Sequence, residues 1–487
     1  MVGGIVFVVY LSTLAPGLTW ANRGADGGDL ISAAATLGIA HPSGYPTYLL
    51  LARLFLALPA GSPAFRTNLL SATCAALASV VVVRLVSRSY AGPRRYAQAG
   101  GLVAGLAFGL SPVLWSQAVI TEVYTLHALF TALILYTLPM GGLVATHAAG
   151  RRNYLAGLLF GVALGNHLTT VLLMPPWLLL AVRPEAGGRW QVRALAERLA
   201  GLVTGLLVYV YLPLRASAHP PVNWGNPVDL AGFWWVVSGV PYRALVFGLP
   251  SGYVLNRIQG WAGLILAQFG LLGMGVAFYG LFFGRANSSR LKAVTVWSAA
   301  VFSIFAIGYN TVDSYAYLLP AFLAMAVWLG LGLATALAGL QGFRARGPGR
   351  LILASGLVLA LAFNAVVQTP GVDASQATAA ETFGRAVMAK APPGGLIFTH
   401  GDQDSFAAWY FQIVLRQRPD LAIVVEPLLA FDWYRENLAA TYPGLAMPAI
   451  PAQPAASWRQ ALSQANRRPV CDTSPDAAEV LTCQPFP

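Results

Sequence analysis

Charge is scarce in this chain: Asp, Glu, Lys and Arg make up 10% of 487 residues, against 57% hydrophobic residues and a mean hydropathy of +0.62. That scarcity excludes a soluble globule of this length. Cysteine is nearly absent too. Three residues are too few for a disulfide framework, and the six histidines lack the spacings that hold zinc. Lysine is rarer still: 28 of the 30 basic residues are Arg, many gathered in short stretches between apolar runs. The net charge of +12 therefore reads as membrane topology and not as a nucleic-acid surface. Heptads, solenoid periods and low-complexity tracts are missing as well. The first apolar stretch has no basic residue before it, and Ala15 to Ala21 is a poor cleavage site, so it is expected to stay as a helix.

What is present is a series of apolar runs. They predict helices near residues 2 to 20, 67 to 87, 97 to 114, 121 to 145, 154 to 165 and 168 to 182, then 199 to 214, 260 to 284, 293 to 309, 315 to 341 and 351 to 369. Arg84, Arg88, Arg94 and Arg95 share one connection, Arg151 and Arg152 another, and Arg183, Arg189, Arg193 and Arg198 a third. Arg285, Arg290 and Lys292 share the next, and Arg344, Arg346 and Arg350 the last. All five fall on one face if the chain starts in the cytoplasm and crosses about eleven times. That count needs a turn at Asn166-His167, although a re-entrant segment is the alternative there. The expected protein is an all-α, multi-pass cell-membrane protein over residues 1–369, with an extracytoplasmic α/β domain over 370–487. In that tail, apolar runs at Leu396 to Phe398 and Leu421 to Val425 read as strands. Cys471 and Cys483 are either an exported disulfide or two free thiols, and Cys74 is a small core residue.

The first outward loop holds Ala25-Asp26-Gly-Gly-Asp29 and His41-Pro-Ser-Gly-Tyr45-Pro46. Leu30, Ile31, Ala34 and Leu37 fit one face of an amphipathic helix along the interface, and Pro42 keeps His41 out of helical geometry. Pro46 can open a second helix through Tyr48, Leu51 and Leu54. Asp26 and Asp29 suit a helix start, where they would cap the first turn. They equally suit a general base, since a hydroxyl is a weak nucleophile until a carboxylate takes its proton.

Other polar residues gather on the same face. Glu122, at the lip of a span beside Trp115 and Tyr124, faces either a cavity or a partner. Asn166 and His167 form either a turn pair or a contact to a phosphate or sugar. Arg215, followed by the rigid turn Pro220-Pro-Val-Asn-Trp224-Gly225, either snorkels to headgroups or stabilises a lipid-linked phosphate leaving group; Arg243 is a second candidate. His400-Gly-Asp402-Gln-Asp404 reads as a helix cap or an acceptor contact.

Taken in order, Asp26-Gly-Gly-Asp29 through His41-Pro-Ser-Gly-Tyr-Pro46, Trp115-Ser-Gln-Ala-Val to Glu122-Val-Tyr, Asn166-His-Leu-Thr169, Leu212-Pro-Leu-Arg215, Asn223-Trp-Gly225 and Tyr309-Asn310 to Asp313 resemble the protein O-mannosyltransferase-like family, glycosyltransferase family 117. Gly401-Asp402-Gln-Asp404 with Trp409-Tyr410 resembles its tail. The resemblance implies a GT-C fold and transfer of a hexose, mannose in this family, from a polyprenyl phosphate to a protein or glycan hydroxyl. Asp26 is implied as the base, with Asp29 catalytic beside it. His41, Tyr45, Glu122, Asn166, His167, Arg215, Trp224 and Arg243 would bind donor or acceptor. The family's Asp-Ser-Gly-Glu is Asp-Gly-Gly-Asp here, and Ala25 replaces an aromatic residue. No cofactor is expected; a divalent cation on the phosphate stays open. The alternative is a flippase of lipid-linked sugars, whose marks would be repeat symmetry and mid-span charges.

Overall fold

The computed structural model describes residues 1–138, 147–182, 192–340, 346–448 and 456–484. Among the described residues, twenty α-helices run in chain order. The first ten are α1 (Val2–Thr13), α2 (Gly27–Thr36), α3 (Pro46–Leu56), α4 (Pro63–Ser89), α5 (Arg94–Gly109), α6 (Pro112–Ala118), α7 (Tyr124–Thr137), α8 (His147–Leu164), α9 (Met174–Val182) and α10 (Val192–Leu206). The rest are α11 (Tyr211–Ala216), α12 (Leu230–Val237), α13 (Val254–Phe283), α14 (Ser289–Gly308), α15 (Leu319–Gly339), α16 (Arg346–Val372), α17 (Ala379–Lys390), α18 (Asp402–Trp409), α19 (Asp432–Thr441) and α20 (Ala456–Asn466).

Helices lie at all eleven expected places, but not all are full crossings. Among the described residues, six helices are long and apolar enough to cross a membrane, and α5 with α6 makes a seventh, bent by 61°. Pro112 sets the bend, because it drives Ser111 into extended geometry (ψ 134°). Helix α1 stops at Thr13 instead of reaching residue 20; its 12 residues span about 18 Å, short of a hydrocarbon core of about 30 Å. Helix α7 is described only to Thr137, and the expected span over 139–146, like Arg183, Arg189 and Arg344 of the basic clusters, lies outside the described residues.

The turn at Asn166-His167 is present. Between α8 and α9 the chain breaks at 165–167 and passes through a short 3₁₀ stretch, Leu168–Leu173. Helices α8 and α10 pack against each other in the same direction, so the intervening segment runs back along the bundle. Their contact is a double small-residue seam, Gly157-x-x-x-Gly161 against Gly201-x-x-x-Gly205. A Cβ on Gly157 would sit 2.0 Å from the Arg198 carbonyl oxygen, and one on Gly201 2.0 Å from that of Tyr154. Only glycine allows the backbones this close. Helix α15 sits inside the bundle, buried along nearly its whole length, while α16 presents Leu351, Ile352, Leu359, Phe363 and Val366 outward.

The first loop departs from expectation. Helix α2 does not lie along an interface; residues 27–34 are all buried, beneath α18 on one side and against α3 on another. The tail forms a four-stranded mixed sheet in the order β2-β1-β3-β4, from β1 (Leu396–Thr399), β2 (Ala422–Val425), β3 (Val470–Thr473) and β4 (Leu481–Gln484). Strand β1 pairs in parallel with β2 and β3, and β3 pairs antiparallel with β4, placing Cys471 opposite Cys483 in a disulfide.

The glycine seam yields a test. Gly201→Leu should overpack the α8–α10 contact at a cost of about 1–3 kcal/mol, lowering the Tm of the detergent-solubilised protein. Val203→Leu, on the exposed side of the same helix, should leave it unchanged.

Candidate active site

The two carboxylates at the head of α2 have different surroundings. Asp29, in the first turn, is fully buried and accepts three hydrogen bonds: from His41 N at 3.0 Å, from His41 Nδ1 at 2.7 Å and from Trp224 Nε1 at 3.0 Å. Asp26, just before the helix, has helical backbone angles and makes no side-chain hydrogen bond to the first-turn amides. The capping role is therefore not what its carboxylate does. Its side chain keeps a third of its surface exposed, and its nearest charged partner is His41 Nε2 at 3.7 Å from Oδ2.

His41 lies in an aromatic box. Phe406, from α18 of the tail, stacks on it at 6.5 Å and 12°, while Tyr45, Trp224 and Tyr242 meet it edge-on at 5.0, 6.3 and 6.5 Å. Burial opposes charge on this ring, but Asp26 and the hydrogen bond to Asp29 outweigh it and hold the imidazole up at about 9. Desolvation pushes the Asp26 carboxyl up to about 6, with the His41 cation pulling the other way and Asp402, Asp29 and Asp313 adding to the rise.

Asp26, Asp29, His41, Tyr45 and Trp224 thus come together in one contact set. Glu122, Asn166 and His167 line its edge. Glu122 is buried between α6 and α7 and interacts electrostatically with Asp26. The Asn166 amide donates to the Val123 carbonyl, and its Oδ1 has no partner among the described residues. His167 packs near Tyr45, Tyr124 and Tyr317 and bonds Thr169 through Nδ1.

The two arginines expected at a phosphate are engaged elsewhere. Arg215 donates from Nε to the Leu37 carbonyl at 2.8 Å and from Nη2 to Thr36, closing the C-terminal end of α2. Arg243 is exposed and donates to Ser238 Oγ. In Pro241-Tyr-Arg243 it is Tyr242 that turns to His41. Two other cations are Arg23 and Arg257; Arg257 is itself engaged, donating from Nη1 to the Thr311 carbonyl at 3.1 Å and to Ser314 Oγ. Both line a cavity of about 950 Å³ with Asn22, Trp261, Leu264 and Gln368. Arg23, three residues before Asp26, is exposed, and its side chain makes no hydrogen bond or ion pair among the described residues.

In the tail, Asp404 is the cap of α18, accepting from His400 N and Gly401 N at 2.8 Å. That leaves Asp402 facing Asp26 and His41, its carboxyl raised by burial. The pair is legible in the sequence, but not that Asp404 is the buried cap while the more exposed Asp402 lies within electrostatic reach of Asp26 and His41; Asp313 and Phe406 reach the site only through packing. His400, Glu426 and Asp472 are close enough to share a cation, yet Arg459 already bridges both carboxylates.

Residues 26–186 match the family model described as the protein O-mannosyl-transferase TMEM260 N-terminal domain, and residues 380–457 match TMEM260-associated domain 2. The chain is similar to the TMEM260 protein O-mannosyl-transferases. It is 28% identical over 470 residues to the mouse protein O-mannosyl-transferase TMEM260 (Mus musculus), covering 87% of this chain and 62% of the relative. To the protein of that name from Dictyostelium discoideum it is 25% identical over 295 residues, covering 56% of this chain and 35% of the relative. The chain thus spans less than two thirds of the length of either. Among solved structures, ArnT from Cupriavidus metallidurans bound to undecaprenyl phosphate superposes with a TM-score of 0.61 at 14% identity, covering 97% of this chain and 92% of ArnT. The oligosaccharyltransferase AglB from Archaeoglobus fulgidus, in complex with an inhibitory peptide and a dolichol-phosphate, gives 0.57 at 11% identity, covering 97% and 69%. The fold therefore resembles that of ArnT and AglB over nearly the whole chain.

The Asp26-Gly-Gly-Asp29 turn can be probed directly. A Cβ on Gly28 would lie 2.2 Å from the Phe406 carbonyl oxygen, whereas one on Gly27 meets nothing closer than 3.5 Å. Gly28→Ala should loosen α18 from α2 and speed protease cleavage of the tail; Gly27→Ala should behave as wild type.

Proposed function

We propose that this chain is an integral membrane glycosyltransferase that moves a hexose, mannose by the names of its relatives, from a polyprenyl phosphate to a hydroxyl of a protein. The observation that carries this reading is Asp26, a carboxylate partly open and free of capping bonds beside a cationic histidine. Such a group can take the proton of an acceptor hydroxyl as its oxygen attacks the anomeric carbon. The bond from that carbon to the phosphate oxygen breaks, its electron pair leaves with the phosphate, and the anomeric centre inverts. A phosphate leaving group needs a cation more than a proton. Arg23 and Arg257 supply it at one wall of the 950 Å³ cavity, and the apolar wall of Trp261 and Leu264 suits a prenyl chain. Arg215 then serves the scaffold. The carboxylates of Glu122, Asp313 and Asp402 would favour positive charge developing on the sugar ring.

In this reading the N-terminus is cytoplasmic, and the first loop, residues 119–123, residues 165–167 and the tail face outward in the cell membrane. Undecaprenyl phosphate in ArnT and dolichol-phosphate with a peptide in AglB, two proteins of like fold, support a lipid-linked donor and a peptide acceptor.

Purified protein given polyprenyl-phosphate mannose and membrane extract should release free polyprenyl phosphate. Asp26→Asn should lower turnover by about 10²–10⁴-fold without loss of folded protein. Arg23→Ala should raise the KM for the donor by roughly tenfold, the loss of one charge-assisted contact. Movement of the intact sugar lipid across vesicles without bond cleavage would sink the proposal.

A further inference from the structure

Asp29 has no route to a substrate hydroxyl. Its side chain is fully buried, and its two oxygens are taken by His41 N, His41 Nδ1 and Trp224 Nε1. A second base would need surface open to an incoming hydroxyl, and of the two aspartates Asp26 is the one that keeps it. From this geometry we infer that Asp29 is a positioning residue: it grips the Nδ1 side of His41, aims the opposite ring nitrogen at Asp26 and keeps the ring cationic. The inference rests on the transfer proposed above, with Asp26 as its base.

The chemistry follows from the hydrogen-bond roles. Nδ1 donates to Asp29 and therefore bears a proton; with Nε2 protonated as well, the ring is an imidazolium 3.7 Å from Asp26 Oδ2. A fixed cation at that distance favours the ionised carboxylate in a setting that otherwise disfavours it. When the acceptor proton arrives on Asp26, His41 takes none of it. Its charge instead disfavours the newly protonated acid, which sheds the proton to solvent before the next cycle. Asp29 thus acts on Asp26 without touching substrate.

The groups that face His41 come from several elements. Asp26 and Asp29 belong to the start of α2 and Asp402 to α18, while Glu122 and His167 feel its charge from farther along the same wall. Tyr45, ahead of α3, and Tyr242, after α12, meet it edge-on as rings. Phe406 and Trp224 add uncharged faces. Of these, only Asp29 holds Nδ1.

A merely structural clasp, tying residues 37–46 to α2, predicts something else, and the pH dependence of turnover tells the two apart. Wild-type turnover should rise as Asp26 ionises near pH 6 and fall as His41 loses its proton near pH 9. Asp29→Asn keeps an acceptor oxygen and the packing but removes the charge. In the folded variant the alkaline limb should move down by about one pH unit, while the acid limb should not rise, because the Asp29 charge that lifts Asp26 is gone and His41 is still protonated near pH 6; kcat should fall at least tenfold with the donor KM within twofold. An alkaline limb that stays at its wild-type position would overturn the role, whatever the loss of folded protein. Should Asp29→Asn fail to fold, His41→Gln serves: its amide can still bond Asp29, and the alkaline limb should vanish. An alkaline limb that survives in His41→Gln overturns the inference. Failure of the wild type to release polyprenyl phosphate at any pH sinks the transfer itself, and this role with it.

Discussion

A buried carboxylate in an apolar protein must be fully hydrogen-bonded or it will not stay charged, and the site is organised around that requirement. Asp29 has no water to turn to, so three donors converge on it from two distant stretches of chain: the backbone and ring of His41, and the indole of Trp224. Breaking such a set by removing one partner generally costs about 3–5 kcal/mol. Meeting it pins the segment ahead of α3 to α2 and draws in the turn before α12. Once Trp224 is fixed, the rings of Trp409 and Trp433 from the tail can close around it. Asp26 is left as the acidic group beside this network that is not consumed by it.

The difference between the two aspartates could not be read from their spacing. Both suit a helix start, and the rule that places a carboxylate before the first turn holds for either. What separates them is which one tertiary packing covers. Gly28 brings the Phe406 backbone onto the Asp29 side of the helix, and Asp26 remains at the edge.

Features set by local chain chemistry were legible. Pro42 and Pro46 bracket a non-helical His41 and open α3 as expected, Pro112 bends the span around it, and the strands of the tail stand at their apolar runs. The turn at Asn166-His167 followed from counting basic residues on one face. Features set by packing were not. Arg215 reads as a free cation past a helix end, yet the carbonyls of Leu37 and Thr36 lie within its reach. In Pro241-Tyr-Arg243 the charge drew attention while the ring beside it faces the site. Arg23 carried no motif, and only the cavity wall marks it. The amphipathic pattern of α2 predicted one dry face; the tail folding over it dries the other.

That cover comes late in the chain. Helix α2 and His41 are synthesised first, but Phe406 and Asp402, which close the box, lie more than 350 positions downstream by sequence number, on a unit that must fold around its own sheet and disulfide. Before the tail docks, His41 has its partners Asp29, Tyr45, Trp224 and Tyr242 within the bundle but lacks the face that Phe406 covers. The site the proposed chemistry uses is complete only once the tail docks, which ties its onset to the folding of that unit.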